Sequence, residues 1–305
     1  MNAAVRAVVR TAVGEGAEVI GYNLGYEGIL TDDFEQLDSK SVGGIINQGG
    51  TILRTARSKE FREKSGREKA VLNLQREKVE GLVVIGGDGS LTGALKLHEE
   101  FEFPVEGVPG SIDNDISGTD FSIGFSTAVN TALEAIDRVR DTAHSHQRVF
   151  VIEVMGRSNG FIAIEAGLAG GAEAILIPEV SYSIVDVCDR LVAGSAKGKK
   201  SSIIVVAEGA ARASDIKDFI ESHTGFDARY VVLGHMQRGG SPSAFDRVLA
   251  LRLGAYATKR LLDGHRGEMV GVEGNRLVAH PLDYVLSTPR TIDTGHLHLA
   301  ERMSI

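Results

Sequence analysis

The chain has no tryptophan and one cysteine, Cys188. A single thiol closes no internal disulfide and builds no cysteine metal cluster, so a reducing compartment is expected. Aromatic residues are few, 11 phenylalanines and 6 tyrosines in 305 residues, which leaves Val, Ile, Leu and Ala to fill the interior. No apolar run approaches the ~20 residues of a membrane span, and the N-terminus lacks the charged-then-apolar layout of a secretory signal. Positive charge is in deficit: 33 Lys and Arg against 41 Asp and Glu leave a net charge of −8. Without a broad positive field, nucleic acid and anionic membrane are poor partners, yet a few arginines can still hold a small anion. A cytoplasmic protein is expected.

Glycine is abundant instead: 37 residues, or about 12% against a usual ~7%. The glycines close apolar runs rather than forming a repeat, which excludes collagen and linker readings and indicates tight strand-to-helix turns. The composition, 43% hydrophobic and 24% charged, is that of a folded chain, and the length suits about two domains. Residues 81–85, 149–154, 174–177, 203–207 and 230–233 are apolar and β-branched at nearly every position, the pattern of strands buried on both faces. Helical spacing lies between them, with Val129, Leu133, Ile136 and Val139 on one face and Val248, Leu251, Ala255 and Leu262 near another. Alternating strand and helix implies parallel sheets covered on both sides, an α/β fold. Residues 268–272, Gly274-Asn275 and 276–279 read as a hairpin. Residues 2–13 read as a helix with no strand before it; either the fold opens with a helix or a strand and loop precede Met1.

Three groups of residues can carry chemistry. The turn Gly86-Gly87-Asp88-Gly89-Ser90 sits between a buried strand and a helix, where glycines admit a phosphate to the backbone and a helix N-terminus offers N–H groups to an anion. The Asp88 carboxylate would repel that phosphate unless Mg²⁺, which takes one or two carboxylates plus phosphate oxygens, lies between them. The plain alternative is a left-handed turn capped by Asp88 or Ser90. In Pro109-Gly110-Ser111-Ile112-Asp113-Asn114-Asp115-Ile116, an extended backbone would point Ser111, Asp113 and Asp115 to one face. One of these carboxylates can then hold a metal and the other can take a proton from a hydroxyl; an Asx-rich surface loop is the plain alternative. The third group is cationic: Arg140, His144, His146, Arg148, Arg157, Arg229, His235 and Arg238, each after an apolar strand or at a helix end. Ligands of open α/β sheets bind beyond strand C-termini, where an arginine can grip a phosphate. Together these parts describe phosphoryl transfer, with Asp88 and Asp115 at magnesium and Asp113 as base.

At these residues the sequence resembles the 6-phosphofructokinase family of glycolysis. The shared stretches are Gly86 to Ser90, Pro109 to Ile116, Ser145-His146-Gln147-Arg148, Glu153-Val154-Met155-Gly156-Arg157, and Val232 through His235 and Arg238 to Pro242. The resemblance implies two three-layer α/β/α domains with mostly parallel sheets. Residues 1–124 and 237–288 would bind nucleotide; 125–236 and 289–305 would bind sugar phosphate. It implies transfer of the γ-phosphoryl of ATP to the 1-hydroxyl of fructose 6-phosphate, with Asp113 as base and Asp88 and Asp115 serving Mg²⁺. Ser111, Arg57 and Arg157 would contact the transferring group. Arg148, Arg229, His235 and Arg238 would bind the 6-phosphate, and Met155, Gly156 and Glu208 the sugar. Tyr26, Gly87, Gly89, Ser90 and Gly93 match nucleotide positions. A homotetramer is implied, with Arg148 and Arg229 reaching a neighbouring subunit.

Pyrophosphate-using relatives carry aspartate at the position of Gly89 and lysine at that of Gly110; glycine at both favours ATP over the pyrophosphate-dependent alternative. The resemblance also implies a strand and Gly-Gly-Asp-Ala-Pro-Gly loop ahead of Met1, so a catalytically silent truncated subunit is a further alternative. NAD kinase shares only the Gly-Gly-Asp-Gly turn. Arg6, Arg10, Arg140, Glu173, Lys197 and Lys199 match or adjoin an allosteric nucleotide site, in which Ser39 replaces an arginine.

Overall fold

The computed structural model describes residues 1–146 and 148–303, apart from the side chains of 144–146 and 301. The strands are β1 (Val19–Tyr22), β2 (Phe34–Leu37), β3 (Leu82–Gly86), β4 (Val105–Pro109), β5 (Val149–Val154), β6 (Ala174–Leu176), β7 (Ser202–Ala207), β8 (Ala228–Val232), β9 (Glu268–Glu273) and β10 (Arg276–Pro281). The helices are α1 (Asn2–Gly14), α2 (Tyr26–Thr31), α3 (Lys64–Arg76), α4 (Asp88–Phe101), α5 (Phe125–His146), α6 (Phe161–Ala169), α7 (Ile184–Ala196), α8 (Ala213–Thr224), α9 (Ala244–Leu262), α10 (Leu282–Ser287) and α11 (Gly295–Met303). Two compact units result. The first holds Met1–Ser111, Ile116–Gly124 and Gly240–Arg290; the second holds Ile112–Asp115, Phe125–Gly239 and Thr291–Ile305.

In the first unit the main sheet runs β10-β9-β4-β3. Strands β3, β4 and β9 are parallel, and the expected hairpin adds β10 antiparallel. Successive side chains face opposite layers: Val105 and Met269 join the core with Leu91, Leu97 and Leu74, whereas Val108 and Val270 join Ala3, Leu249 and Leu253. Sequence reading missed a separate antiparallel pair, β1-β2, whose four-residue strands carry too little pattern. It missed β4 as well, since a glutamate and a glycine interrupt its apolar run. An apolar groove of about 210 Å³ runs between β1 and the edge strand β3, lined by Ile20, Tyr22, Leu53, Leu82 and Val84 among others.

The face expected to be buried on α9 is corrected. Val248 and Leu262 are exposed, and Leu249, Ala250, Leu253, Gly254 and Ala257 are buried instead. Small residues decide this. A Cβ on Gly254 would lie 2.9 Å from both the Ala4 carbonyl oxygen and the Ala7 Cβ, so α1 and α9 approach through their smallest side chains.

In the second unit all four strands are parallel, in the order β6-β7-β5-β8. Ile152, Val154, Ile203 and Val205 pack beneath α5 and α6; Val149, Val151, Ile204 and Val206 pack against α7 and α8. The alternation explains why these strands read as unbroken apolar runs: both faces are covered. On α5 the buried line is Ala128, Ala132 and Ile136, with Val129 and Val139 at its flank. The architecture is α/β, as the sequence predicts.

Candidate active site

In the first unit, β3 and β4 end together. Gly86 and Pro109 are register partners, and the Gly110 N–H donates to the Gly86 carbonyl at 2.9 Å. The two loops named by the sequence therefore leave the C-terminal edge of a parallel sheet side by side, where such sheets bind ligands. The first loop is the helix start itself: Gly87 is the extended N-cap of α4, Asp88 its first residue, and no side chain caps it. The alternative of a left-handed turn capped by Asp88 or Ser90 is thus corrected, because none of Gly86, Gly87 or Gly89 has positive φ.

Each glycine has its own reason. At Gly86 a Cβ would meet the Ser90 Oγ at 2.5 Å, so packing requires glycine. At Gly93 a Cβ would strike the Tyr26 ring at 2.5 Å. That ring stacks on Phe61 with centroids 3.9 Å apart, and its hydroxyl donates to the Ser90 carbonyl at 2.5 Å. Burial pushes the Tyr26 hydroxyl well above its ordinary pKa. Tyr26 and Gly93 thus form one packed contact that fixes the first turn of α4. At Gly89 a Cβ would meet nothing within 4 Å. The fold does not demand glycine there, and the space above it is open. Arg57 is exposed on the loop before Lys59, and the Ser111 carbonyl accepts from the Ser122 Oγ at 2.6 Å.

In the second unit, Asp113 is 3% exposed, and Arg157 Nε lies 3.1 Å from its Oδ2. The expected extended backbone is not found: the chain bends at Ile112-Asp113, and Asn114 has φ of 54°. Strand alternation therefore does not govern these side chains. Asp113 and Asp115 belong to the second unit and Ser111 to the first. Burial raises the Asp113 pKa, as does the charge of Asp115, while Arg157 and Arg238 oppose the shift. Arg157 occupies left-handed backbone, φ 54°, after Gly156 at φ 148°. The Glu208 Oε1 supports this strained turn by accepting from the N–H groups of Gly156 (3.2 Å) and Arg157 (2.7 Å). Gln237, which sequence reading did not single out, accepts from the Met155 N–H at 2.8 Å.

The cations divide into two sets. Arg157, His235 and Arg238 follow β5 and β8 at their C-terminal ends. Arg148 precedes β5 and Arg229 lies early in β8, and both pair with Asp227 at 2.5 Å. The expectation that each cation follows a strand or ends a helix is thus corrected for Arg229, which lies within β8. At ~3.3 Å per residue, the length of β5 separates the two sets by roughly 20 Å. The side chains of His144, Ser145 and His146, and all of Gln147, lie outside the described residues. Among the allosteric candidates, Arg10 donates to the Ser39 carbonyl at 3.3 Å, and Arg6 shares α1 with it. Arg140 donates to the carbonyls of Gly170 and Gly171 at the end of α6. Glu173 pairs with Lys199 at 2.9 Å, and Lys197 is exposed at the end of α7.

No helix among the described residues is long and apolar enough to cross a membrane. No cluster of three or more His, Cys, Asp or Glu side chains among them could hold a metal. An exposed carboxylate such as Asp88 suits an ion that brings phosphate and water ligands with it, which is how Mg²⁺ is usually held.

Similarity to known proteins agrees with this geometry. The phosphofructokinase family model matches residues 1–261. The chain is 55% identical over 305 residues to the ATP-dependent 6-phosphofructokinase of Bacillus subtilis (strain 168), covering all of this chain and 95% of that one. Among solved structures it is similar to phosphofructokinase from Saccharomyces cerevisiae, with a TM-score of 0.88 and 36% identity over 94% of this chain and 43% of the other. It also shares the fold of the pyrophosphate-dependent phosphofructokinase from Marinobacter aquaeolei, with a TM-score of 0.84 and 22% identity, covering 98% of this chain and 87% of that one. With a family model spanning most of its length and a relative more than half identical along all of it, the chain belongs to the phosphofructokinase family.

Proposed function

We propose that the protein transfers the γ-phosphoryl group of ATP to the 1-hydroxyl of fructose 6-phosphate in the cytoplasm. The carrying observation is the buried Asp113 carboxylate beside Arg157. Burial makes Asp113 a stronger base than an ordinary aspartate, and the neighbouring guanidinium keeps enough negative charge on it to accept the sugar's proton. The rest of the Arg157 head, with Ser111 and Arg57, would meet the charge on the phosphoryl group in flight. His235 and Arg238 would bind the 6-phosphate, and Met155, Gly156 and the Glu208 carboxylate the sugar ring.

Residues 1–124 and 237–288 would serve the nucleotide, and 125–236 with 289–305 the sugar phosphate, save that Ile112–Asp115 and residues 237–239 fall in the second unit and 289–290 in the first. Gly87, Gly89 and Ser90 would bring backbone to the nucleotide phosphates, with Tyr26 and Gly93 holding the turn in shape. Mg²⁺ carried in with ATP neutralises phosphate charge, and Asp88 and Asp115 would hold it. The open space at Gly89, which packing does not require, supports ATP over pyrophosphate. The distance of Arg148 and Arg229 from Asp113 along the strands supports their service to a neighbouring subunit, and with it a homotetramer. Arg6, Arg10, Arg140, Glu173, Lys197 and Lys199 would form an effector site.

A coupled assay with fructose 6-phosphate and Mg·ATP tests the reading. Turnover with ATP and none with pyrophosphate is the expected result; no turnover with either donor would reject it.

A further inference from the structure

Gln237 is 1% exposed, on the 3-10 turn Gly234–Arg238 that carries His235 and Arg238. Its Oε1 accepts from the Met155 N–H at 2.8 Å, 82 residues earlier in sequence. The assignment of the amide is chemically forced, because an N–H donor requires the oxygen and not the nitrogen. Among the described residues its Nε2 has no hydrogen-bond partner. A buried amide used at one end only adds little stability, since the cost of its unpaired donor offsets the gain from its one hydrogen bond.

Its place in the sheet explains what the amide does. The β5–β8 ladder ends with the Leu233 N–H donating to the Glu153 carbonyl at 3.0 Å. Beyond that bond the strands give way to two irregular segments: Met155-Gly156-Arg157, with two positive φ values in succession, and the 3-10 turn. Glu208 tethers the first segment to the end of β7 through Gly156 and Arg157. Gln237 supplies a tether on the other side, through Met155.

We infer that Gln237 is a positioning residue that ties the Arg157 turn to the segment bearing His235 and Arg238, so that the phosphoryl-contacting and 6-phosphate-contacting groups keep one spacing. It touches no substrate; it acts through the Met155 backbone. This inference rests on the phosphofructokinase reading of the site.

Gln237→Met keeps the side chain's length and removes the acceptor. It exchanges one unpaired buried donor, Nε2, for another, the Met155 N–H, so stability should change little. The Arg157 turn should loosen while His235 and Arg238 stay on their own turn. We therefore expect kcat to fall about tenfold with KM for fructose 6-phosphate rising less than threefold, because only the transition-state contact is misplaced. In an Arg157→Ala background the same change should cost less than about twofold, since coupled residues are non-additive.

Amide hydrogen exchange, which needs no turnover, should rise at residues 155–157 in Gln237→Met and stay unchanged in β7. If the Met variant does not accumulate, Gln237→Asn, polar but one methylene too short to reach, should give the same losses. Exchange at 155–157 equal to the parent's, or a kcat loss of equal size in both backgrounds, would overturn the inference. A parent that exchanges as expected but fails to phosphorylate fructose 6-phosphate would overturn the kinase reading and leave the tether standing.

Discussion

Arg157 Nε lies 3.1 Å from the Oδ2 of Asp113, joining a side chain that is 60% exposed to one that is buried. The pair has one end in the protein and the other in solvent. Such an arrangement suits a proton acceptor that must stay ionised near a substrate while its partner remains available to an incoming phosphate.

Replacing that acceptor without changing its shape isolates the proton-transfer step. Asp113→Asn should lower kcat by roughly 10²–10⁴, the usual scale for loss of a general base, with KM for the sugar phosphate little changed. Steady-state kinetics check this, and a large rise in KM at constant kcat would make Asp113 a binding residue only.

Gly89 separates packing from ligand binding. Because a Cβ there meets nothing within 4 Å and the backbone is not left-handed, Gly89→Asp should shift stability by no more than the ~0.5 kcal/mol usual for surface positions. It should raise KM for ATP about tenfold or more, because a carboxylate facing the nucleotide phosphates repels them. Thermal unfolding and ATP titration measure the two effects on the same sample.

Glu106 on β4 is fully buried, and among the described residues neither carboxylate oxygen has a hydrogen-bond partner. Burial pushes its pKa up to about 8; Glu268, its register partner on β9, adds to the shift, and Arg260 opposes it. The folded state therefore prefers the protonated acid. Its contribution is fully present below the ordinary pKa of 4.5 and falls as pH rises, until the folded group itself ionises near 8. Glu106→Gln should remove this slope, by up to ~1.4 kcal/mol per pH unit. Urea unfolding of both proteins between pH 6 and 8 tests it, and parallel pH curves would reject the assignment.

Gly254 sets helix propensity against packing. Alanine in mid-helix gains about 1 kcal/mol over glycine, but its Cβ would sit 2.9 Å from the Ala4 carbonyl and the Ala7 Cβ. Overpacking of this kind costs typically ~1–3 kcal/mol, and the backbone carbonyl cannot move aside as a side-chain tip can. Gly254→Ala should be net destabilising by denaturant unfolding; a stabilised variant would mean that α1 shifts freely.

Much of this was legible in advance because parallel strands covered on both faces leave runs of Val and Ile that no other element resembles; β5 and β7 are the clearest cases. The Gly86 to Ser90 turn was legible for a similar reason, a strand closing directly on a helix. The small antiparallel pair β1-β2 was hidden by its four-residue strands, and the buried face of α9 by Ala and Gly, which carry little hydrophobic signal yet allow the closest approach. Gln237 was invisible because its role lies in one bond to a backbone 82 residues away.

The sequence by itself determined the fold class, the longer buried strands and the two glycine- and aspartate-bearing loops, because these follow from local pattern and turn chemistry. Only the tertiary structure decided how the acidic segment bends, at Asn114 rather than running straight, and which glycines are required by packing and which leave room for a ligand. It alone decided that Arg148 and Arg229 sit at the far end of the strands from Arg157. Those outcomes depend on neighbours remote in sequence, whose distances no local pattern encodes.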